Sequence, residues 1–255
     1  MSAAPKGKLY LVPAPLDFGC DVQAPLQDVI PLGTLQIAAT LPCWICENAK
    51  STRAYLKRVG EVQPLLQPVQ ALQITELPRE VHKKGDHGGG FDAKPLLKAA
   101  LEGHNIGLVS EAGMPAIADP GSSVVRAAHE LGIQVLPLTG PMSLMLALAA
   151  SGLNGQNFAF VGYLPQDGSE RSQRIRELES LALKTGQTQI FIETPYRNTA
   201  LLQALLQTLQ ANTRLALSCG LSLPTGWSHS ALVSAWKRDK PAAPLGLPTV
   251  FCIGR

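Results

Sequence analysis

Residues 106–121 read IGLVSEAGMPAIADPG and decide the fold of the first half of the chain. The apolar run Ile106–Val109 is typical of a buried strand, and it breaks into a loop with two glycines and two prolines. A helix is predicted from Ser122, then a strand at 133–138 and a second turn at Gly140-Pro141. This is a βαβα unit, and both loops fall where open α/β sheets bind ligands. Loops so rich in glycine and proline predict backbone held against a bound molecule.

The alternation of strands and helices extends to both sides of this segment. Further strands are predicted at 8–12, 43–46, 157–162, 188–192, near Leu215 and at 249–253, and helices are predicted from Ser51, Asp92, Pro141, Ser169 and after Pro195. The small-residue run 149–155 is interpreted as an interdomain connector. We therefore predict an α/β fold of two lobes, 1–152 and 153–255, with a cofactor cleft between them.

Composition favours a cytoplasmic protein. The chain has 255 residues and a net charge of +3, which neither demands nor excludes a nucleic-acid partner. No secretory signal is recognised, and the longest apolar run, 142–150, is too short for a membrane span. Five cysteines without a framework spacing predict reduced thiols. Cys43 and Cys46 have redox-motif spacing, but on a strand they face opposite sides.

No metal site is predicted. The segment 82–90, HKKGDHGGG, contains two histidines and Asp86, yet a polar, glycine-rich stretch is more often simply a mobile loop. Its three glycines lack the Gly-Lys-Ser/Thr ending of a phosphate-binding loop. We interpret it as a flexible loop.

Four motifs occur in order: SEAGMPAIADPG at 110–121, TGPMS at 139–143, GYLP at 162–165 and FIETPYR at 191–197. Together they resemble the tetrapyrrole methylase superfamily, and within it the ribosomal RNA small subunit methyltransferase I branch. The resemblance is strong over residues 106–197, and in the rest of the chain it consists of the order of strands and helices. Four motifs in register are far more specific than any one alone. The resemblance implies a homodimeric, S-adenosylmethionine-dependent methyltransferase of class III that modifies a cytidine ribose 2′-hydroxyl in small-subunit rRNA.

The resemblance also implies a cofactor site built largely from loop backbone. The matching positions are Pro13, Glu111, Gly113, Met114, Pro115, Ile117, Ala118, Gly140, Ser143, Thr194 and Pro195. Backbone N–H and C=O groups can read the edges of adenine, and glycine permits close approach. The helix opened by 140–143 has free N–H groups that suit the carboxylate of the methionine tail.

The catalytic base is left open. Methyl transfer is an in-line displacement that needs alignment, exclusion of water and removal of the acceptor's proton. Glu111 and Glu193, both at strand ends, are candidate bases and equally candidates for structural hydrogen bonding. Asp119 is a further candidate carboxylate, but its position favours a role as cap of the helix from Ser122 over catalysis. Arg197 is either a ligand of a phosphate or carboxylate, or a member of an ion pair within the second lobe.

The helix around 50–58 is the predicted RNA-binding face. It carries Lys50, Arg53, Lys57 and Arg58 with almost no acids, and Tyr55 as a stacking residue; the alternative is an ordinary exposed helix.

The N-terminal motifs depart from the branch. The first loop, 14–21, lacks its Gly-Asn pair, and 47–50 reads ENAK in place of its Glu-Asp-Thr-Arg. Two alternative functions are therefore kept: methylation of a tetrapyrrole or another small molecule, and a non-catalytic S-adenosylmethionine-binding module.

Overall fold

The computed structural model describes residues 5–84, 86, 88 and 90–255, without the side chains of 82–84. The chain forms two compact units. Unit 1 comprises the residues up to Gly19 together with Gln23–Pro141, and unit 2 comprises Cys20–Val22 and Met142–Arg255. The domain boundary predicted at 152 stays a prediction.

A five-stranded parallel sheet forms the centre of unit 1. Its strands are β1 (Leu9–Leu11), β2 (Cys43–Cys46), β3 (Gln73–Glu76), β4 (Ile106–Val109) and β5 (Val135–Pro137), in the spatial order β3-β2-β4-β1-β5. The order places β1, β4 and β5 side by side. Because the strands are parallel, the loops that follow these three strands leave the same edge of the sheet.

Helices cover both faces of this sheet. They are α1 (Leu26–Val29), α2 (Leu32–Ala39), α3 (Ala49–Val62), α4 (Arg79–Lys84), α5 (Lys98–Leu101) and α6 (Ser122–Glu130), with 3-10 turns at Val69–Ala71 and Lys94–Leu97. Along β2, Trp44 packs in one apolar cluster with Leu56 of α3, whereas Ile45 packs in another with Val124 of α6. The alternation follows the two-residue period of a strand. Both faces are therefore buried, as in parallel sheets generally.

Unit 2 contains a mixed sheet. Its strands are β6 (Phe158–Tyr163), β7 (Thr188–Glu193), β8 (Arg214–Cys219), β9 (Trp227–Leu232) and β10 (Thr249–Gly254), in the order β6-β7-β10-β8-β9. Only β6 and β7 pair in parallel among these strands. The helices are α7 (Ser143–Ser151), α8 (Gly168–Thr185), α9 (Asn198–Thr208) and α10 (Val233–Asp239). The α/β class predicted from the sequence is confirmed.

Several local predictions need correction. α3 begins at Ala49, and its N-cap is Asn48, whose side chain accepts hydrogen bonds from the backbone N–H groups of Lys50 and Ser51. The helix predicted from Ser51 therefore begins two residues earlier. The helix predicted from Asp92 is a 3-10 turn followed by the single turn of α5. The sequence did not predict α1, α2, α4, β3, β9 or α10.

The cysteines are free thiols in the structure, and four of the five are buried. Cys43 and Cys46 lie in different apolar clusters on the two faces of the sheet, as the strand period predicts. No helix in the described part of the chain is both long and apolar enough to cross a bilayer.

Candidate functional site

The loops that follow β1, β4 and β5 are held together in unit 1. Ala14 and Gly113 exchange two backbone hydrogen bonds, N–H to C=O, at 2.9 and 3.0 Å. A Cβ built on Gly140 would lie 2.5 Å from Cβ of Pro13 and closer still to its Cγ, so the loops after β1 and β5 are in contact. The Tyr55 hydroxyl of α3 donates to the carbonyl of Pro13 at 3.1 Å. Three of the predicted site residues, Pro13, Gly113 and Gly140, are thus brought together.

The loop after β4 has an unusual backbone. Gly113, Ala116 and Ala118 have φ angles of +71°, +64° and +65°. Glycine takes this conformation freely, whereas an alanine there is strained by about 1–2 kcal/mol. Ile117, between the two alanines, is 39% exposed. Strained backbone is retained where the surrounding structure imposes it, which is frequent at ligand sites.

Carboxyl groups gather at the ends of β2 and β4. The backbone N–H of Glu111 donates to Oε2 of Glu47 at 3.2 Å, and the Ser51 hydroxyl donates to Oε1 of Glu111 at 3.2 Å. Burial raises the pKa of Asp119 to about 7, and the charges of Glu47 and Glu111 add to the rise, while the Ser110 hydroxyl lowers it. Asp119 therefore exchanges its proton near neutral pH, which suits acid–base chemistry.

The predicted cap of α6 is wrong. Gly121 occupies the N-cap position, and no side chain of the capping residue closes the helix. The cap is Asp86, which lies thirty-six residues before Ser122 in the sequence. Its carboxylate accepts hydrogen bonds from the backbone N–H groups of Gly121 and Ser123 and from the hydroxyls of Ser122 and Ser123, at 2.6–2.9 Å. Although burial opposes ionisation, these hydrogen bonds lower the pKa of Asp86. Asp86 is buried and held by these contacts. Residues 82–84 of the predicted flexible loop instead belong to α4, and residues 85, 87 and 89 lie outside the described ones.

Two residues assigned to RNA binding instead support the first loop. Tyr55 is only 7% exposed and donates to Pro13, so it is not a stacking residue. Arg58 binds both carboxylate oxygens of Asp17, at 3.1 and 3.0 Å, and the carbonyl of Ala24 at 2.8 Å. The Asp17 side chain is 4% exposed. Arg58 therefore holds both ends of the segment between residues 17 and 24.

The predicted site residues of unit 2 lie at the end of β7 and at the start of α7. Arg197 donates to Oε1 of Glu193 through Nε at 2.9 Å and Nη2 at 2.7 Å. The backbone N–H of Thr194 donates to the same oxygen at 2.7 Å. The ion pair that was one of the two readings of Arg197 is confirmed. Ser143 opens α7, whose first N–H groups receive no side-chain cap from Met142.

Comparison with known proteins agrees with this architecture. The profile of the family Tetrapyrrole (Corrin/Porphyrin) Methylases matches residues 38–225. The protein named ribosomal RNA small subunit methyltransferase I from Escherichia coli O157:H7 is 30% identical over 237 residues, covering 92% of this chain and 73% of that protein. The protein of the same name from Vibrio cholerae serotype O1 is 37% identical over 133 residues, covering 52% of this chain and 45% of that protein.

A solved structure shows the same fold. The crystal structure of uroporphyrin-III-C-methyltransferase from Thermus thermophilus superposes with a TM-score of 0.54 at 18% identity, covering 98% of this chain and 94% of that one. The family that matches is one of methylases, and both named relatives are methyltransferases. The chain belongs to the tetrapyrrole methylase family.

Proposed function

We propose that the protein transfers the methyl group of S-adenosylmethionine to a ribose 2′-hydroxyl of small-subunit ribosomal RNA. The observation that carries the proposal is the junction of the loops after β1, β4 and β5, where Ala14 pairs with Gly113 and Gly140 packs on Pro13. The names of the relatives support the RNA substrate. Since the match spans 45% of one relative and 73% of the other, the substrate is a proposal for this chain.

The loop after β4 fits the adenosine part of the cofactor. S-adenosylmethionine supplies a methyl group activated by a positive sulfur. At Gly113 the positive φ turns the chain sharply, and the partly exposed Ile117 and exposed Ala118 present apolar surface beside backbone polar groups. An adenine ring needs such a surface together with N–H and C=O groups at its edge. Met114 and Pro115 belong to the same proposed contact loop.

Some of the proposed cofactor contacts belong to unit 2. The N–H groups at the start of α7, beginning at Ser143, suit a carboxylate because the helix dipole and the free donors both favour an anion. Thr194 and Pro195 follow β7 and stay predicted cofactor contacts.

A base is expected to accept the proton of the ribose hydroxyl. Glu111 stays a candidate, and so does Asp119, whose pKa of about 7 matches the requirement for a base at neutral pH. Glu193 stays a candidate too, although Oε1 of its carboxylate already accepts two charge-assisted hydrogen bonds from Arg197.

The exposed cations of α3 support an RNA partner. Lys50, Arg53 and Lys57 are exposed, whereas Arg58 is paired with Asp17. Cations on one helix attract phosphate groups, and the binding they provide weakens with salt. We also propose that the protein acts as a homodimer in the cytoplasm, as the family resemblance implies.

Two measurements test the proposed function. Calorimetry with S-adenosylmethionine and S-adenosylhomocysteine is expected to give micromolar dissociation constants. Methyl transfer is then measured with tritiated cofactor on small-subunit particles lacking this modification, followed by mapping of the methylated nucleotide. Large-subunit particles are the matched substrate control. If the protein binds the cofactor and methylates a tetrapyrrole but not RNA, the proposed RNA substrate is wrong. If it binds the cofactor and methylates no acceptor, the result supports a non-catalytic binding module.

A further inference from the structure

Two exposed tyrosines lie at one edge of the sheet of unit 2. Strands β6 and β7 are parallel, so the segments that follow them leave the same edge of the sheet. Tyr163 ends β6 and is 55% exposed, and Tyr196, in the 3-10 turn Pro195–Arg197 that follows β7, is 81% exposed. Exposed tyrosine rings are frequent contacts at binding surfaces, because they combine a large apolar face with a polar hydroxyl.

A β-bulge positions Tyr163. Phe160 pairs with Ile190 and Tyr163 pairs with Ile192, so β6 contains one residue more than β7 between these two pairs. Gly162, within this bulge, has a φ of +75°, a conformation that glycine takes without strain. Tyr163 therefore takes the position opposite Ile192 that a regular strand would give to Gly162. Bulges that re-aim a side chain in this way are frequent next to functional sites.

Arg197 lies close to both tyrosines. Its guanidinium carbon is 5.3 Å from the centroid of the Tyr196 ring, within the range of a cation–π contact. The hydrogen bonding of Arg197 to Glu193 is the main cause that raises its pKa, and the phenol groups of Tyr196 and Tyr163 are near enough to add to the rise. Tyr163, Tyr196 and Arg197 therefore form one surface cluster, which we call the tyrosine platform.

The tyrosine platform is ordered by the protein itself. The Glu193 side chain is 3% exposed, and its Oε1 accepts from Nε and Nη2 of Arg197 at 2.9 and 2.7 Å. The backbone N–H of Arg197 donates to the carbonyl of Thr194 at 2.9 Å, which closes the turn that carries Tyr196. Nη1 of Arg197 has no hydrogen-bond partner in the described part of the chain, so it can donate to a ligand. A surface ordered in advance loses less conformational entropy on binding.

The size and chemistry of the tyrosine platform favour an unpaired nucleotide. Unpaired bases stack on tyrosine rings and on the guanidinium plane of arginine, and arginine also binds phosphate. A stable protein interface buries about 800 Å² on each partner, far more than two rings and one guanidinium supply. The exposed residues that follow the platform in the sequence are mostly polar, such as Gln166, Asp167 and Thr199. The platform therefore fits the face of a base better than it fits a protein.

We propose that the tyrosine platform stacks on an unpaired base of the RNA while Nη1 of Arg197 binds the adjoining phosphate. The platform holds the RNA and does not select the nucleotide to be methylated, because every base has a π-face and stacking tolerates any sequence. Its residues contact no reacting atom. This inference rests on the proposed RNA substrate.

The test measures binding of labelled RNA by the full chain saturated with S-adenosylhomocysteine. The probes are a short single-stranded oligoadenylate and an RNA duplex of the same length. Tyr196→Ala and Tyr163→Ala are each expected to weaken binding of the single strand at least about fivefold, the lower limit for one stacked base, and to leave binding of the duplex within about twofold. Tyr196→Phe keeps the ring and is expected to bind both probes within about twofold of wild type.

Phe158→Ala is the matched control. Phe158 is an aromatic residue at the opposite end of β6, 38% exposed, so its removal is expected to leave the binding of both probes unchanged. The affinity for S-adenosylhomocysteine is measured for every variant, since Tyr196 follows the proposed cofactor contacts Thr194 and Pro195, and it is expected to stay within about twofold of wild type.

Methylation kinetics give a second readout. With small-subunit particles as substrate, Tyr196→Ala is expected to raise KM at least about fivefold and to leave kcat within about twofold. The reason is that a stacking contact outside the reacting atoms stabilises the ground state and the transition state equally.

The outcomes separate this inference from the proposed function. If Tyr196→Ala binds the single strand and methylates small-subunit particles as well as wild type, the tyrosine platform does not hold RNA, while the proposed function stands. Stacking is refuted if Tyr196→Phe loses as much affinity as Tyr196→Ala, or if the duplex loses as much as the single strand. An equal fall in affinity for S-adenosylhomocysteine would assign Tyr196 to the cofactor site instead.

A failure of the proposed function has its own signature. If wild-type protein methylates no RNA but its binding of the single strand still depends on Tyr196, the proposed function fails and the tyrosine platform stands as a nucleic-acid site. If wild-type protein binds neither RNA probe and methylates no RNA, both fail.

Discussion

Gly140 offers the sharpest test of the junction between the loops after β1 and β5. In Gly140→Ala the new methyl group would lie within 2.5 Å of Cβ of Pro13, a residue whose ring cannot rotate away. Carbon atoms in contact prefer about 3.5–4.0 Å, so the two loops must separate by about 1 Å or more. Overpacking of this kind costs about 1–3 kcal/mol.

The displacement is expected to affect cofactor binding as well as stability. The Pro13 carbonyl accepts a hydrogen bond from the Tyr55 hydroxyl, and its neighbour Ala14 is paired with Gly113, so Pro13 has little room to yield. We expect Gly140→Ala to lower the free energy of unfolding in urea by about 2 kcal/mol. We expect its affinity for S-adenosylhomocysteine, measured by calorimetry, to fall at least about tenfold, equivalent to about 1.4 kcal/mol.

Gly33→Ala is the matched control. Gly33 lies in α2 of the same unit with no atom near the position of its Cβ, so the variant is expected to be as stable as wild type or up to about 1 kcal/mol more stable. If Gly140→Ala stays within about 0.5 kcal/mol of wild type and binds S-adenosylhomocysteine normally, the contact between the two loops does not support the site.

Three further predictions concern charged groups of unit 1, each measured by urea unfolding of the full chain. Arg58→Ala leaves the buried carboxylate of Asp17 without its cation and is expected to cost about 3 kcal/mol. Asp86→Ala removes the side chain that caps α6 and is expected to lower the free energy of unfolding by about 2 kcal/mol at pH 7. Because the fold lowers the pKa of Asp86, its contribution is present above the unfolded value of 3.8 and is lost as the pH falls through the folded pKa. Asp119 behaves oppositely: its pKa rises from 3.8 to about 7, so the folded state keeps a proton that the unfolded chain releases, and stability falls as the pH rises between these values. Asp119→Asn is expected to remove that slope.

Each of these predictions has an outcome that contradicts it. Arg53→Ala, at an exposed position of the same helix as Arg58, should change the free energy of unfolding by less than about 0.5 kcal/mol. Equal losses in Arg53→Ala and Arg58→Ala would show that the ion pair between Arg58 and Asp17 does not stabilise the fold. For Asp86, equal losses of stability at pH 7 and at a pH below the folded pKa of this carboxyl would show that the charge of the cap is unimportant. For Asp119, an unchanged pH slope in the Asn variant would assign the slope to other groups.

Local sequence signals were sufficient where neighbours in the chain determine the structure. The strand Ile106–Val109 is apolar and short, and the loop after it contains the glycine that its positive φ requires, Gly113. Both features are visible in sixteen consecutive residues, 106–121. The same holds for the turn at Gly140, which follows a strand and precedes a helix. Such signals predicted the α/β class and the loops of the candidate site.

Contacts between distant residues could not be predicted from these patterns. Asp86 caps a helix that begins thirty-six residues later, and a glycine-rich segment gives no sign of such a partner. Arg58 belongs to a basic helix, and its charge alone cannot show that it faces Asp17, forty-one residues earlier. The strand Gln73–Glu76 reads QITE and is mostly exposed at the edge of the sheet, so it lacks the apolar signal of a buried strand.

The strand order has a practical consequence for anyone who trims this chain. The family profile ends short of both termini, at residues 38 and 225, yet β1 lies inside one sheet between β4 and β5, and β10 lies inside the other between β7 and β8. A polypeptide cut to the profile limits would lose β1 from unit 1 and both β9 and β10 from unit 2, which would leave unpaired edges on β4, β5, β7 and β8. Exposed edges of this kind promote aggregation. Expression trials and fragment screens therefore need the whole sequence, because the first and last strands complete the two sheets.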